Sequence, residues 1–369
     1  MGIKAQHLVN VSGGKDSTAA YLLAIESGRP FRAVFADTGN EHEATYEYVA
    51  QLAARTGGPQ IEVVRADFTQ QLRRRQDHVR KHWPDELQEG RKGMWEWHSS
   101  KGAKTPRPTS EPPVPTNQNR STKVRVDGGA WRWRVPHQPL TPEAAQQRID
   151  EALALLVPTG NPYLDLCLFK GFFPGWSRQF CTEELKISPI VEQIVLPMLR
   201  SGPVLQWLGI RAEESRRRAK DPRYNRHESG SWLWRPILRW REEQVWEIHR
   251  RHGVPPNPLY QAGATRVGCW PCINCKKDEV RLIADLTPEH IERVARWERM
   301  VGDVSKSRSA TFFPALTDPT DTDRPDRTYA SIHDIVEWSR TGRGGRQFDL
   351  FFQQQAGGGC TSDLGLCET

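Results

Sequence analysis

The sequence has no apolar run approaching the roughly 18 residues of a membrane-spanning helix. Its first residues carry no charged-then-apolar signal segment, so the expectation is a protein that stays in the cytoplasm and takes no membrane partner. No internal repeat is visible. The eleven histidines form no Cys/His or His-x3-His array, and no Ser/His/Asp arrangement stands above chance. What is present is a globular chain of 369 residues, 37% hydrophobic and 26% charged, long enough for one large domain or two ordinary ones. A formal net charge of +7 favours an anionic partner, nucleic acid among them. Seven cysteines in a cytoplasmic chain argue against disulfides, so grouped ones point to metal or redox chemistry.

Residues 5 to about 82 alternate in βαβαβα order. LVNVS leads into a helix that Asp16 or Ser17 is expected to cap. FRAVFAD (31–37) is followed by a helix over 43–55, and IEVVRA (61–66) by FTQQLRRRQDHVRKHW. Apolar strands alternating with helices predict an α/β fold, a twisted parallel sheet covered by helices on both faces. Ligands in such sheets bind beyond the carboxyl ends of the strands. The stretch 83–140 breaks the pattern, with eight prolines between Trp83 and Pro139 and ten Lys/Arg against six Asp/Glu. It reads as a partly irregular basic insertion in which Trp95, Trp97, Trp131 and Trp133 interleave with cations, a composition able to stack on bases. Helix returns at 142–156, and α/β pattern runs through VLQWLGIR (204–211), WLWRPI (232–237) and a helix near 242–252. The expected organisation is a nucleotide-binding domain in two halves, 1–82 and 141–260, split by the insertion 83–140. A cysteine-cluster and helical region follows over 261–352, and a mobile tail over 353–369.

Between the first strand and helix lies Ser12-Gly13-Gly14-Lys15-Asp16-Ser17. A strand, a glycine turn and a helix N-terminus turn several backbone N–H groups toward one point, where the helix dipole adds positive potential. That is a phosphate site, and its spacing is not that of a Walker loop. SGGKDS resembles the pyrophosphate loop (PP-loop) of the adenine-nucleotide α-hydrolase superfamily. The resemblance implies ATP bound at Ser12–Ser17, pyrophosphate released and an adenylyl group left on the substrate. Lys15 would neutralise the leaving pyrophosphate, and Asp16 would hold Mg2+. FADTGNEHEATYEYV (35–49) puts Asp37, Thr38 and Gly39 one strand over, and resembles the DTG-x-E segment of the phosphoadenosine-phosphosulfate reductase branch, with Asp37 near the magnesium or the nucleotide. The plainer reading of Asp37 is a helix cap. WLGIRAEESRRR (207–218) resembles the Gly-Ile-Arg-x-x-Glu-Ser segment of the same branch, where Arg211 would clamp a phosphate; Arg216–Arg218 read as a solvated helix face.

Cys269, Cys272 and Cys275 form a C-x2-C-x2-C array in GCWPCINCKKDE, and WSRQFCTEELKISPI supplies Cys181 upstream. This layout resembles the bacterial adenosine-phosphosulfate reductases and the DNA phosphorothioation proteins of the DndC type. Those set an upstream cysteine against a Gly-Cys-x-Pro-Cys element, here Gly268, Cys269, Pro271 and Cys272, to hold a [4Fe–4S] cluster. The reductases carry adjacent cysteines upstream, whereas Phe180 precedes Cys181 here, so the fourth ligand is Cys275 or is absent. Zn2+ on four cysteines is the structural alternative. Arg178 and Lys186 flank Cys181 within reach of the sulfurs or the nucleotide, while Cys167 reads as an ordinary buried thiol.

The resemblance implies an ATP pyrophosphatase that adenylylates a substrate, with nucleic acid the leading candidate, for iron–sulfur-dependent sulfur transfer from a cysteine desulfurase or other donor. One alternative is a phosphoadenylyl-sulfate reductase using Cys360 or Cys367 of the tail. The other is a non-catalytic nucleotide-sensing or DNA-binding protein, whose affinity would fall steeply with salt.

Overall fold

The computed structural model describes residues 5–89, 93–99, 123–126, 129–134, 138–175, 178–314, 316–317 and 328–341. The tail with Cys360 and Cys367, and the proline-rich centre of the insertion, lie outside these residues. The chain divides into two compact units, Met1–Leu72 with Val157–Thr369, and Arg73–Leu156.

The first unit is built on β1 (Gln6–Val11), α1 (Lys15–Glu26), β2 (Phe31–Ala36), α2 (Glu43–Thr56) and β3 (Ile61–Val64). Beyond the second unit come α5 (Pro162–Lys170) and a helical run over 180–199, here α6, with π turns at Glu183–Ile187 and Val191–Val195. Strands β7 (Val204–Trp207), β8 (Tyr224–Arg226) and β9 (Trp232–Trp234) complete a six-stranded sheet of order β3-β2-β1-β7-β9-β8. Every pairing is parallel except β8 with β9.

Side chains along β1 alternate between two cores, as a strand buried on both faces requires. Leu8 packs with Ile187, Ile190 and Val195 of α6. Val9 and Val11 pack with Leu22 of α1, Leu52 of α2 and Ile248 of a later helix, α7 (Glu242–Arg251). The chain leaves β1 for β2 and β3 on one side and returns to β7 on the other, so β1 and β7 flank a topological switch point. Short α8 (Pro258–Gln261) precedes the cysteine array, and α9 (Lys277–Leu286), α10 (Pro288–Asp303) and α11 (Ile332–Ser339) follow it. Among the described residues, no helix is long and apolar enough to cross a membrane.

The second unit holds most of α3 (Thr69–Gln88), strands β4 (Met94–Ser99), β5 (Lys123–Val126) and β6 (Gly129–Arg134), and α4 (Pro142–Leu155). The described strands of the insertion form an antiparallel sheet of order β4-β6-β5. Cross-strand aromatic pairing supports it. Trp97 stands opposite Trp131 in register, with ring centroids 5.4 Å apart, edge to face. Trp131 is only 2% exposed, so it serves as core and is not open to a base.

Candidate functional site

The Ser12–Ser17 loop leaves the carboxyl end of β1 at the switch point, and its shape follows from its residues. Gly13 has φ +80°, and a Cβ there would lie 2.6 Å from Thr45 Cγ2, so a side chain is excluded on both counts. The helix starts at Lys15 with Gly14 as N-cap, which corrects the expectation of an Asp16 or Ser17 cap. Ser17 is turned back into the loop instead. Its Oγ accepts from Ser12 N and Ser12 Oγ, both at 3.0 Å, and donates to Gly14 O at 3.1 Å.

Residues some 245 positions away hold the loop from outside. Lys15 N donates to the Tyr260 hydroxyl at 3.0 Å, and His249 Nε2 lies 2.9 Å from Lys15 O. Asn257 Nδ2 reaches Gly13 O and Thr45 Oγ1, each at 3.3 Å. Sequence reasoning missed all three residues. The Asn257-Pro258 pair did carry a helix-start signal, since Asn257 caps α8, but nothing in the spacing ties it to the loop.

Lys15, Asp16 and Arg211 meet here. Arg211 Nε is hydrogen-bonded to Asp16 Oδ1, and the side chains of this pair are 5% and 1% exposed. Lys15 Nζ lies 3.7 Å from Asp16 Oδ2, 3.9 Å from Glu242 Oε1 and 5.2 Å from the centroid of the Tyr260 ring. Burial opposes the Arg211 charge, but Asp16, Glu214 and Glu242 outweigh it and raise its pKa. Arg211 also binds Glu213 Oε2 at 2.8 Å, so it sits in a carboxylate cage. Gly209 makes the cage possible: a Cβ there would stand 2.5 Å from Ser17 Cα and 2.6 Å from the Asp16 carbonyl. Arg218, read as solvated, is 4% exposed and paired with Glu214 at 2.5 Å.

The loop after β2 faces a different way. Asp37 accepts from Gly39 N and Tyr46 OH, both at 2.8 Å, and from Arg65 Nε at 2.6 Å. It fastens the turn and does not cap α2, whose cap is His42. Gly39, at φ +77°, lies against Asn161, which donates to its carbonyl at 2.6 Å. Thr38 and Glu41 point to the cysteines: Thr38 Oγ1 donates to Glu41 Oε1 at 2.6 Å and lies 3.8 Å from Cys269 Sγ. Backbone bonds complete the junction, with Trp270 N donating to Asn40 O at 2.6 Å. Glu43 Oε2 is 3.0 Å from His290 Nε2, whose ring stacks on His42; these three offer ligand atoms within 4.8 Å of one another.

Cys181, Cys269, Cys272 and Cys275 line one cavity of about 40 Å³, together with Thr38, Lys186 and Arg266. Arg178 is not among its lining residues. Lys186, in the first π turn of α6, also lines a smaller cavity of about 10 Å³ with Val11, Ser12 and Glu41. It therefore stands between the end of β1 and the sulfurs. Burial lowers the Lys186 ammonium, but Cys269, Glu41, Cys272 and Cys181 overcome this and raise it. Burial pushes the thiols of Cys181, Cys269 and Cys275 up to about 12, Lys186 opposing this at Cys269 and Arg266 at Cys275. Arg266 was not singled out from sequence; its Nη2 lies 3.7 Å from Cys275 Sγ, and its Nε 3.3 Å from Glu279. Cys167 is fully buried in α5 and lines neither cavity.

A mostly parallel sheet with a glycine loop at its switch point is an α/β architecture that places candidate ligand-binding residues beyond its strand ends. The model of the phosphoadenosine phosphosulfate reductase domain matches residues 6–95 and 143–275, and the chain belongs to that family. Over nearly its whole length it is similar to an uncharacterised 37.8 kDa protein of Escherichia phage 186, 38% identical over 371 residues, 98% of this chain and 96% of that one. It is 34% identical over 97 residues to an adenosine 5'-phosphosulfate reductase of Allochromatium vinosum, a span of 26% of this chain and 36% of the reductase. A phosphoadenylyl-sulfate reductase from Candida auris, solved as a phosphate complex, aligns at 16% identity with a TM-score of 0.34, over 72% of this chain and 82% of that one.

Proposed function

We propose that this protein is an ATP pyrophosphatase that adenylylates an acceptor oxygen in preparation for sulfur transfer. The observation that carries the reading is Lys186, which lines the thiol cavity and also the small cavity with Val11 and Ser12 at the phosphate loop. Nucleotide chemistry and sulfur chemistry are thereby adjacent. The acceptor oxygen attacks the α-phosphorus of ATP, the bond from that phosphorus to the bridging oxygen breaks, and pyrophosphate leaves with the electron pair. Lys15 and the N–H groups at the start of α1 neutralise the leaving charge. Asp16 holds Arg211 at the phosphates and would share in holding the Mg2+ carried by the nucleotide's own oxygens. The terminal sulfur of a persulfide, carried by a cysteine desulfurase or another donor, then bonds to the acceptor as AMP leaves with the pair of the broken bond to oxygen. A second thiol of the donor cleaves the resulting disulfide, so the acceptor keeps the sulfur and the donor leaves as a disulfide; nucleic acid is the proposed acceptor.

The four thiols that line one cavity suit a soft metal. Burial makes Cys181, Cys269 and Cys275 costly to ionise alone, and metal ligation supplies the missing positive charge. A [4Fe–4S] cluster held by three of Cys181, Cys269, Cys272 and Cys275 would supply an open iron for a sulfide, whereas Zn2+ on all four would be structural. Thr38, Lys186 and Arg266 would orient and compensate the thiolates.

Anaerobic incubation with ATP and with phosphoadenosine phosphosulfate, in separate reactions, tests the proposal. AMP and pyrophosphate from ATP, lost in Lys15→Ala, is the expected result. Sulfite from the sulfated nucleotide with ATP untouched would make the protein a reductase, and ATP binding without turnover would make it a sensor.

A further inference from the structure

Residues 216–241 contain nine Lys/Arg against two Asp/Glu, a surplus equal to the +7 of the whole chain. Arg218 and Arg235 are buried in ion pairs with Glu214 and Asp221. Arg216, Lys220, Arg223, Arg226, Arg239 and Arg241 are exposed. Aromatic surface lies among them. Tyr224 is 50% exposed and Trp232 48%, whereas the other described tryptophans are buried or partly buried. Register sets Tyr224 opposite Trp234 and Arg226 opposite Trp232, so all four side chains share one face of the β8–β9 pair. The Tyr224 ring lies parallel to Trp234 at 5.7 Å and 5°, and Trp234 is braced edge-on against buried Trp207 at 4.2 Å. The ring is thus held before a ligand arrives, which lowers the ordering cost of stacking on it. β8 is the outer strand of the sheet.

Both ends of this excursion are tied to the phosphate loop. It departs just after Arg211, which holds Asp16, and returns at Glu242, 3.9 Å from Lys15 Nζ. We propose that the face formed by Tyr224, Arg226 and Trp232 is a docking surface for single-stranded nucleic acid, with bases stacked on the exposed rings and phosphates on the flanking arginines. A single strand offers both the π faces and the regular negative charge that this surface matches. A duplex hides the first, and an acidic protein lacks it. Only the further step, that the bound strand is the acceptor of the adenylyl group, rests on the pyrophosphatase reading.

The test is fluorescence anisotropy of a labelled mixed-sequence single strand, without ATP, over a series of salt concentrations. Wild-type protein should bind with an affinity that falls linearly in log–log form against salt. Trp232→Ala should weaken binding by roughly fivefold to a hundredfold, the range for loss of one stacked base. Tyr224→Phe, which keeps the ring, should bind as wild type. Arg226→Gln should lower the salt slope by about 0.7, the loss of one phosphate contact on a single strand. Should Trp232→Ala fail to fold, Arg226→Gln at its exposed position decides alone. Unchanged affinity in both variants overturns the proposal, as does equal displacement by polyglutamate. Self-association that Trp232→Ala abolishes, without oligonucleotide binding, overturns it in favour of a second copy of the chain. Because ATP is absent, failure here leaves the pyrophosphatase assay untouched, and the reverse also holds.

Discussion

Replacing Gly209 with alanine isolates the geometry of the Ser12–Ser17 loop from its chemistry. The added Cβ would stand 2.5 Å from Ser17 Cα and 2.6 Å from the Asp16 carbonyl carbon and oxygen, all of them backbone atoms. No rotamer relieves such a contact, so the β7 turn and the first turn of α1 must part by about 0.9 Å to reach ordinary contact. Overpacking of this kind costs about 1–3 kcal/mol, which lowers the melting temperature by roughly 2–4 °C per kcal/mol in a domain of 150–250 residues. The effect on turnover should be larger, because Asp16 carries Arg211 and a displacement near 1 Å costs about a hundredfold in rate. Gly57→Ala is the control. Gly57 has φ +68° with nothing within 4 Å of a built Cβ, so alanine there costs only left-handed strain, about 1–2 kcal/mol. The two variants should melt at similar temperatures while only Gly209→Ala loses pyrophosphate release, measured by a coupled phosphate assay. Equal turnover in the two would refute the claim that close approach at Gly209 positions the site.

Two further outcomes follow from the same structure. Burial holds the His249 ring below its ordinary value of 6.5, against hydrogen bonds to the Lys15 and Val254 carbonyls that raise it. The unfolded chain therefore takes this proton at a higher pH than the folded one does. The contribution is fully present above pH 6.5 and is lost as pH falls from there through the folded value. Urea midpoints should thus fall on acidification below that pH, and less so in His249→Gln, which keeps a donor for the Lys15 carbonyl; parallel pH curves would count against the assignment. Protein purified without oxygen should contain iron and acid-labile sulfide in equal amounts, lost in Cys269→Ala and kept in Cys167→Ala. Zinc alone, at one per chain, would mark the cysteines as structural.

Much of the local design was legible. The alternation of strands and helices, and the glycine turn before Lys15, are set by residues adjacent in sequence, whose periodicity and Cβ-free positions show directly. The short array Cys269–Cys272–Cys275 was equally plain, and Lys186 was noticed because it lies five residues from Cys181. Two of the three misreadings have a common cause, a partner distant along the chain. Trp131 looked like a stacking residue beside Arg132, but its partner Trp97 lies 34 positions earlier, and cross-strand pairing placed it in a core. Arg218 looked solvated as part of an arginine run, yet it is buried and paired with Glu214, four residues earlier. Asp16 looked like a helix cap, yet Gly14 took that place and Asp16 went to Arg211, 195 residues away.

The sequence by itself determined that a glycine loop would form between a strand and a helix, because glycine conformational freedom and backbone N–H direction are local properties. Tertiary structure alone decided what surrounds it. The return of the chain to β7 beside β1 created the switch point, and Gly209 let the turn after β7 close against the first turn of α1. Packing of α6 across the sheet carried Lys186 and Cys181 to the place where the loop holding Thr38 meets the array that begins at Cys269. Such meetings depend on which faces bury against each other over separations of a hundred residues or more, and hydrophobic faces record that burial is required without recording the partner.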